Sequence, residues 1–311
     1  MRAFVFPGQG SQKVGMGREL AEASAAAREV FEEVDEALGQ NLFQLMQDGP
    51  EEELTLTANA QPAIMAHAIA VLRVLSQEGG IALAEKADFV AGHSLGEYSA
   101  LCAAGAFSLA DTARLLKARG RAMQGAVPVG VGAMAALLGA DIDKASALAA
   151  AAAQGEVCTV ANDNDPSQVV LSGHADAIAR AAAMVKDFGV RRAMLLPVSA
   201  PFHCPLMQPA ADAMAEALDR TPPGVLRVAL FANVTAALAT DPGEVKRLLV
   251  AQVTGRVRWR ETAIAMQAAG VGRVVELGAK VLAPMIARSA PGIAVTSAVT
   301  MDDIEALAKE L

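Results

Sequence analysis

Short apolar runs alternate with longer helical patterns along most of the chain, and this alternation sets the expected architecture. The apolar runs lie at residues 2–6, 88–91, 228–232, 273–277 and 293–298. Amphipathic stretches separate them, with polar and apolar positions spaced at the helical period. Strands that alternate with helices typically form a parallel sheet. We therefore predict an α/β domain with a mainly parallel sheet.

The pattern changes between residues 132 and 198, where shorter elements follow one another closely. It predicts a strand at 133–138, a helix from Asp141, strands at 157–161 and 168–171, a helix at 175–188 and a strand at 193–198. The order βαββαβ is ferredoxin-like, and Gly189 is placed to end the second helix. Proline-containing segments flank this region. We predict a ferredoxin-like small domain, residues 128–198, inserted into an α/β domain formed by residues 1–127 and 199–311. A ligand cleft is expected between the two.

The pentapeptide Gly92-His93-Ser94-Leu95-Gly96 joins a predicted strand to a predicted helix. Strand, GxSxG and helix in this order are typical of a nucleophile elbow, a sharp turn that exposes the serine hydroxyl. The glycines two before and two after Ser94 allow neighbouring backbone to pass close by. The alternative is a tight glycine turn with a capping serine. We predict that Ser94 is a nucleophile.

A serine nucleophile needs a base, and the chain has only four histidines. His67 lies in a helical pattern and is expected to pack or face solvent, His93 to support the elbow, and His174 to begin a helix. His203 lies in a proline-stiffened loop, where the chain returns from the small domain, just before a helix that Pro205 can start. His203 is therefore the predicted base, with a capping or packing histidine as the alternative.

No convincing acidic partner for His203 occurs in the order expected of a hydrolase triad. Acidic residues between Ser94 and His203 fall in or beside the small domain, mostly on helix positions predicted to be exposed. Gln252 closes a helical segment, and main-chain carbonyls at a helix end lack intrahelical partners. We predict a Ser94–His203 dyad in which such a carbonyl accepts the second ring N–H of the histidine.

Arg119 lies on the apolar side of its predicted helix. When residues 111–123 are projected at about 100° per residue, Arg119 shares a face with Leu115 and Leu116, whereas Arg114, Lys117 and Arg121 share the opposite face. A buried guanidinium requires an anionic partner or complete hydrogen bonding, and its planar fork matches a carboxylate. Arg119 is predicted to form an internal salt bridge or to hold a substrate carboxylate.

Two functions can be considered for the loop after the first strand, Phe6-Pro7-Gly8-Gln9-Gly10-Ser11-Gln12: binding a dinucleotide or stabilising an oxyanion. It fails as a dinucleotide motif because Lys13 replaces the third glycine. In an elbow enzyme the residue after the serine, here Leu95, supplies one amide to the oxyanion, and a separate strand-end loop supplies the second. The glycine loop is a candidate for that second donor.

Composition narrows the classes of partner. The 311 residues carry a net charge of −8, which argues against nucleic acid as a partner. The sequence contains no apolar stretch that fits a membrane span or signal peptide, so we expect a cytoplasmic protein that does not bind membranes. The three cysteines are widely spaced and predict neither a disulfide framework nor a metal site. Lys186, Arg191 and Arg192 form a local basic cluster that could meet an acidic protein, with an ordinary solvated surface near a helix end as the alternative.

These motifs resemble, in order and over nearly the whole chain, the malonyl-coenzyme A:acyl carrier protein transacylases of fatty acid synthesis. The matching stretches are 6–12, 92–98, 119–120, 161–164, 199–203 and Gln252. Two departures, Cys204 and the segment 278–280, touch no residue with a predicted catalytic role. The resemblance implies a hydrolase-like large domain with a ferredoxin-like insert, in agreement with the periodicity.

The resemblance also implies residue roles. Ser94 is acylated, His203 is the base and acid, Arg119 pairs with the malonyl carboxylate, and the amides of Gln9 and Leu95 form the oxyanion hole. Gln252 orients His203 through its main-chain carbonyl.

Three further residues, Asn162, Phe202 and His93, are candidates for the substrate pocket. In related acyltransferases a bulky residue beside the histidine goes with malonyl over α-methylated malonyl groups, and Phe202 has that position.

The implied substrates are malonyl-CoA and the phosphopantetheine thiol of an acidic acyl carrier protein that binds transiently. No metal or other cofactor is expected, and the protein is expected to be a monomer. The alternatives are a malonyltransferase subunit of malonate decarboxylase, a free-standing polyketide acyltransferase, a serine thioesterase or esterase, and a non-catalytic carrier-docking subunit. Arg119 disfavours a general esterase, which has no evident need for a buried cation, and Ser94 with His203 disfavours the docking subunit.

Overall fold

The computed structural model describes residues 1–198 and 200–311. Its strands are β1 (Arg2–Phe6), β2 (Phe89–Gly92), β3 (Gly132–Leu138), β4 (Cys158–Asp165), β5 (Gln168–His174), β6 (Arg192–Leu195), β7 (Ala229–Ala232), β8 (Ala237–Ala239), β9 (Arg273–Leu277) and β10 (Ala294–Ala298). The helices of the first half are α1 (Arg18–Ala23), α2 (Ala25–Leu38), α3 (Leu42–Asp48), α4 (Glu51–Thr55), α5 (Thr57–Gln77), α6 (Leu83–Lys86), α7 (Gly96–Ala103) and α8 (Leu109–Gly125). Those of the second half are α9 (Ile142–Ala153), α10 (Ala175–Met184), α11 (Gln208–Arg220), α12 (Pro242–Thr254), α13 (Trp259–Ala268), α14 (Ala283–Ser289) and α15 (Met301–Glu310).

The larger sheet has the strand order β10-β9-β1-β2-β7-β8. Every neighbouring pair from β10 to β7 is parallel, and β8 pairs antiparallel with β7. Along β1, Phe4 and Phe6 pack into the core on one face, whereas Ala3 and Val5 pack into the core on the other. Apolar burial on both faces is why these strands read as continuous apolar runs. The predicted mainly parallel sheet is confirmed, and the short edge strand β8 was missed.

The smaller sheet has the order β4-β5-β3-β6 with antiparallel pairing throughout, which is the ferredoxin-like arrangement predicted from the βαββαβ pattern. Its side chains alternate in the manner of a sheet that is covered on both sides. Ala135 and Leu137 pack against α9 and α10, whereas Met134 and Ala136 join the core of the larger part. One face of the small sheet is therefore a wall of the space between the two sheets.

Several predicted boundaries in this region were wrong for identifiable reasons. β6 ends at Leu195 and not at residue 198, because Pro197 has no N–H to extend the ladder. Helix α10 ends at Met184 and is followed by a 3₁₀ turn at Val185–Phe188, before Gly189 with φ 65°. β4 continues through four polar residues that the apolar pattern excluded.

Those polar residues join the small sheet to the larger part. A register shift in β4 falls between Val160 and Asn162, and a bridge links Asn162 to Val257. The fully buried carboxylate of Asp163 receives hydrogen bonds of 2.8–3.1 Å from Arg260 in α13. Asp165 receives similar bonds from Arg288 in α14. A bulge re-aims side chains locally, and here it leaves Asn162 on the cavity between the sheets.

Helix α8 confirms one prediction and corrects another. Arg119 is 1% exposed, as the projection predicts. Lys117, predicted to lie on the polar face, is only 9% exposed. Its Nζ donates to Asn59 Oδ1 at 2.7 Å and to Gln40 Oε1. Because α8 packs against α2, α5 and α11, its buried surface is wider than one stripe.

Candidate active site

Ser94 lies at the sharp turn between β2 and α7, and its backbone has φ 54°. A positive φ is uncommon for a non-glycine residue and stores strain where it occurs. The flanking glycines make the turn possible. A Cβ on Gly92 would lie 1.9 Å from the backbone of Gly96, and a Cβ on Gly96 would lie 2.3 Å from the Phe6 carbonyl oxygen. The strand, turn and helix predicted around Ser94 are therefore all present.

His203 meets Ser94 directly, with 2.8 Å between Ser94 Oγ and His203 Nε2. Its Nδ1 lies 2.8 Å from the main-chain oxygen of Gln252. Helix α12 ends at Thr254, so Gln252 lies within its last turn, where carbonyls lack intrahelical partners. Accepting from Nδ1–H, this carbonyl leaves Nε2 free to accept the serine proton. The expected oxygen and histidine are thus in contact.

Burial, and to a smaller extent the positive charge of Arg119, lower the pKa of His203 to about 3. The imidazole is only 4% exposed. It is therefore neutral near pH 7, which is the state in which Nε2 can accept a proton. His203, like Ser94, has a positive φ, of 58°. This second strained residue faces the first, and no local pattern around residue 203 predicts it.

Arg119 approaches the same serine from α8. Its Nη2 donates to Ser94 Oγ at 3.2 Å and to Gln252 Oε1 at 2.8 Å, and its Nη1 donates to Gln61 Oε1 at 2.9 Å. Within the described parts of the chain no carboxylate forms an ion pair with Arg119, so the predicted internal salt bridge is absent there. The guanidinium is held by neutral amides and presented to the nucleophile.

A polar network that no sequence pattern predicts lies below the elbow. Gln252 Nε2 donates to Ser94 O at 3.0 Å and to Glu97 Oε2 at 2.9 Å. The side-chain Oδ1 of Asn233 accepts from the main-chain N–H of Ser94 at 2.7 Å. The main-chain N–H of Asn233 donates to Glu97 Oε2 at 3.0 Å. Only the main-chain carbonyl of Gln252 had been assigned a role, yet its side chain connects the serine, Arg119 and Glu97.

Gln61 was also missed, although the sequence carries a signal for it. It lies in α5, where residues 59–71 are all buried, and it is 1% exposed itself. A polar residue in such a run requires a buried partner. Glu97 could have been found in the same way, since it lies in the first turn of α7, where residues 96–101 are all buried.

The two amides expected to stabilise an oxyanion come from the elbow itself and from the loop beside it. Leu95 immediately precedes α7, and Gln9 lies in the loop that leaves β1. Neither amide N–H donates to an acceptor among the described residues. The loop passes tightly beside the elbow, since a Cβ on Gly8 would lie 2.8 Å from the His93 ring.

These groups open onto one cavity of about 220 Å³ between the two sheets. Its lining includes Gln9, Gln61, His93, Ser94, Arg119, Met123, Met134, Asn162, Phe202 and His203. All three residues proposed for the pocket, Asn162, Phe202 and His93, are thus on its wall. His93 Nε2 is 2.8 Å from Asn164 Oδ1, so the ring is fixed to β4 and not to Ser94.

The remaining histidines lie outside this cavity. His67 is buried in α5 with Nδ1 3.0 Å from the Gly278 oxygen, and burial lowers its pKa to about 4. His174 begins α10 and accepts from the Val157 amide at 2.9 Å. Both are therefore packing or helix-start residues, as expected.

In the described residues we find no group of three or more potential metal ligands. The cysteines Cys102, Cys158 and Cys204 are free thiols. None of the described helices is long and apolar enough to cross a membrane.

Comparison with known proteins agrees with this geometry. Residues 3–290 match the family model described as the acyl transferase domain. By its fold and its family match, the chain is an acyltransferase. The malonyl CoA-acyl carrier protein transacylase of Escherichia coli K12 is 44% identical over 276 residues, 89% of this chain and 88% of that protein.

Solved structures of related proteins superpose on nearly the whole chain. The acyl-carrier-protein-S-malonyltransferase of Bartonella henselae aligns with a TM-score of 0.96 and 51% identity over 99% of this chain and 98% of that one. A malonyl-transacylase in complex with its type II PKS acyl-carrier protein aligns at 0.95 with 37% identity, over 100% of this chain and 99% of that chain. The chain belongs to the family of malonyl CoA-acyl carrier protein transacylases.

Proposed function

We propose that this protein transfers the malonyl group of malonyl-CoA to the phosphopantetheine thiol of an acyl carrier protein, through a malonyl ester on Ser94. The observation that carries the proposal is the buried Arg119 guanidinium, 3.2 Å from Ser94 Oγ and without an ion-pair partner in the described residues. A cation so close to the nucleophile selects an acyl group whose carboxylate is near the reacting carbonyl. In a malonyl thioester a single carbon separates the carboxylate from the reacting carbonyl.

In the first half-reaction His203 Nε2 takes the Ser94 proton while Ser94 Oγ attacks the thioester carbonyl. Negative charge develops on the carbonyl oxygen, where the amides of Gln9 and Leu95 stabilise it. The tetrahedral intermediate collapses, the carbon–sulfur bond breaks, and His203 returns the proton to the coenzyme A sulfur. Malonyl-Ser94 and the free thiol are the products.

In the second half-reaction the carrier's phosphopantetheine thiol gives its proton to His203 and attacks the Ser94 ester. The carbon–oxygen bond breaks, His203 protonates Ser94 Oγ, and malonyl leaves on the carrier. Throughout, the Gln252 carbonyl holds Nδ1–H, so that Nε2 is always the nitrogen that exchanges the proton. The steps require only acid, base and nucleophile, and we propose no metal or redox cofactor for them.

A second cavity of about 290 Å³ adjoins the first and shares Gln9, His93 and Asn162 with it. Asn164, Gln168 and Met285 also line it. Side-chain amides next to apolar groups can hydrogen-bond and pack against the phosphopantetheine arm, which contains amide groups and is common to coenzyme A and the carrier protein. We propose that this arm enters here.

The basic cluster supports an acidic carrier as the acceptor. Lys186, Arg191 and Arg192 are exposed, and β6 leads from Arg192 to Leu196 on the cavity wall. At a strand rise of about 3.3 Å per residue the two are roughly 13 Å apart. We propose that the carrier docks transiently at this cluster, and that the enzyme acts as a monomer in the cytoplasm.

The proposal is tested by intact mass after mixing the protein with malonyl-CoA. We expect a malonyl adduct on the wild type, none on Ser94→Ala, and loss of the adduct with appearance of malonyl-carrier when holo carrier protein is added. Free malonate released as fast as the adduct forms, without carrier product, would indicate a hydrolase instead.

Phe202 is expected to exclude an α-methyl group, since it is 7% exposed and lines the cavity beside His203. One methyl group in a close pocket is worth about 10- to 200-fold in discrimination. The wild type should therefore be acylated by malonyl-CoA at least about tenfold faster than by methylmalonyl-CoA, and Phe202→Ala should reduce this ratio. Because both thioesters are measured on the same protein, a general loss of activity in a variant cancels from the ratio of the two rates. Equal rates on the wild type would refute this prediction.

A further inference from the structure

Arg119 carries a buried positive charge that no negatively charged side chain contacts directly, among the described residues. Its guanidinium is 1% exposed and its hydrogen-bond acceptors, Gln61, Gln252 and Ser94, are all neutral. An uncompensated buried cation is strongly unfavourable. A carboxylate close to the guanidinium would therefore stabilise the site when no substrate is bound.

Glu97 is the nearest candidate for that charge. It is also 1% exposed, and it is joined to Arg119 through a single side chain. Gln252 accepts from Arg119 Nη2 through Oε1 at 2.8 Å and donates through Nε2 to Glu97 Oε2 at 2.9 Å. The amide has opposite dipole ends toward the cation and the carboxylate, which fixes its orientation.

Few other charged groups face Glu97. Arg119 from α8 and Tyr98 from its own helix interact with it electrostatically. The groups that surround it at the end of β2, just after β7 and in α12 are Gly92, Asn233 and Gln252, none of which titrates. Among the described residues, β1 and α5 also pack on α7 but supply no charged group that acts on the pKa of Glu97, whereas α8 supplies Arg119. The protonation of Glu97 therefore depends mainly on Arg119 and on what neutralises it.

We infer that Glu97 is the buried counter-charge of Arg119, linked to it by the Gln252 amide, and that it takes up a proton from solvent when a substrate carboxylate occupies Arg119. This inference rests on the proposed function. The substrate anion makes Glu97 redundant as a counter-charge and repels it, so the carboxylate becomes a neutral carboxyl group. Oε2 accepts two hydrogen bonds, whereas Oε1 has no partner in the described residues and is where the proton adds. When malonyl leaves on the carrier the proton is released.

The pH range follows from the environment of the carboxyl group. Burial raises the pKa of Glu97 to about 7, against the lowering effects of its hydrogen bonds and of Arg119. Above pH 7 the free protein holds mostly the carboxylate, so binding must bring in a proton. Below pH 7 the group is already mostly protonated, and uptake should decline.

The experiment is calorimetric titration of the Ser94→Ala protein with malonyl-CoA, in buffers of different ionisation enthalpy, so that binding is measured without acyl transfer. We expect uptake of most of one proton at pH 8 and several-fold less at pH 6. Acetyl-CoA, which has no carboxylate, should bind without uptake. The double variant Ser94→Ala with Glu97→Gln should bind malonyl-CoA without uptake, because glutamine retains an oxygen for the Asn233 and Gln252 donors.

The outcomes separate the two proposals. Uptake that survives Glu97→Gln, or none at pH 8 while malonyl-CoA still binds more tightly than acetyl-CoA, would overturn the role of Glu97 and leave the proposed function intact. Equal affinity for the two thioesters would refute the Arg119 carboxylate site and with it both proposals. If the double variant does not fold, infrared difference spectra of the Ser94→Ala protein should show a new protonated carboxyl band on addition of malonyl-CoA, and its absence would contradict the inference.

Discussion

Replacing His203 by alanine is expected to lower the rate of Ser94 acylation by malonyl-CoA by about 10³- to 10⁴-fold. The imidazole is the only group in contact with Ser94 Oγ, among the described residues, that can accept its proton, because the other contact, Arg119, is a donor. Substrate affinity should change little, since the cation that holds the carboxylate remains. Quenched-flow acylation followed by intact mass would measure the rate.

His174→Gln is the matched control for that measurement, because His174 lies at the start of α10 and outside the cavity. It should be acylated at the wild-type rate. A His203→Ala protein that retains its fold and is acylated within about tenfold of the wild type would exclude general-base catalysis by His203.

The pH profile provides a separate check on the same residue. The base acts in its neutral form, so activity is present above its pKa and lost as the pH falls through it. Because burial and the charge of Arg119 lower the pKa of His203 to about 3, acylation should show no loss centred on the ordinary histidine value of 6.5. A substrate carboxylate that neutralises Arg119 removes part of that lowering, which makes His203 a stronger base when the correct substrate is bound.

Much of this site could be predicted because its signals are local. GxSxG between a strand and a helix specifies the turn at Ser94 within five residues, and the apolar stripe of one helix identifies Arg119. The βαββαβ order was readable because each of its elements has its own period and its own turn residues. The His203 contact with a helix-end carbonyl followed from the lack of a suitable acid.

The parts that could not be predicted depend on residues far apart in the chain. Asn233 reaches the Ser94 amide across 139 positions, and Gln61 reaches Arg119 across 58. Lys117 looked exposed because its acceptors come from other elements. Strand β4 extends beyond its apolar residues because Arg260, which lies in α13, neutralises Asp163. In each case a polar group is buried by a partner that periodicity does not reveal.

Replacing Arg119 by alanine is expected to lower malonyl transfer by about 10²- to 10³-fold, the scale of losing a buried charge-assisted pair of 3 to 4 kcal/mol. Acetyl transfer should fall far less, or rise, because an acetyl group has no carboxylate and because the cation that lowers the pKa of His203 is gone. The ratio of kcat/KM for malonyl-CoA to that for acetyl-CoA is the quantity to measure.

Two further variants make that ratio diagnostic. Arg119→Lys keeps the charge but not the planar fork, and should recover only part of the preference for malonyl. Arg121→Ala removes an exposed arginine from the other side of α8 and should leave the ratio unchanged. If Arg119→Ala lowered malonyl and acetyl transfer equally, the guanidinium would support the elbow and would not select the substrate. A fall confined to malonyl would instead place substrate selection on Arg119, the buried cation that touches the nucleophile.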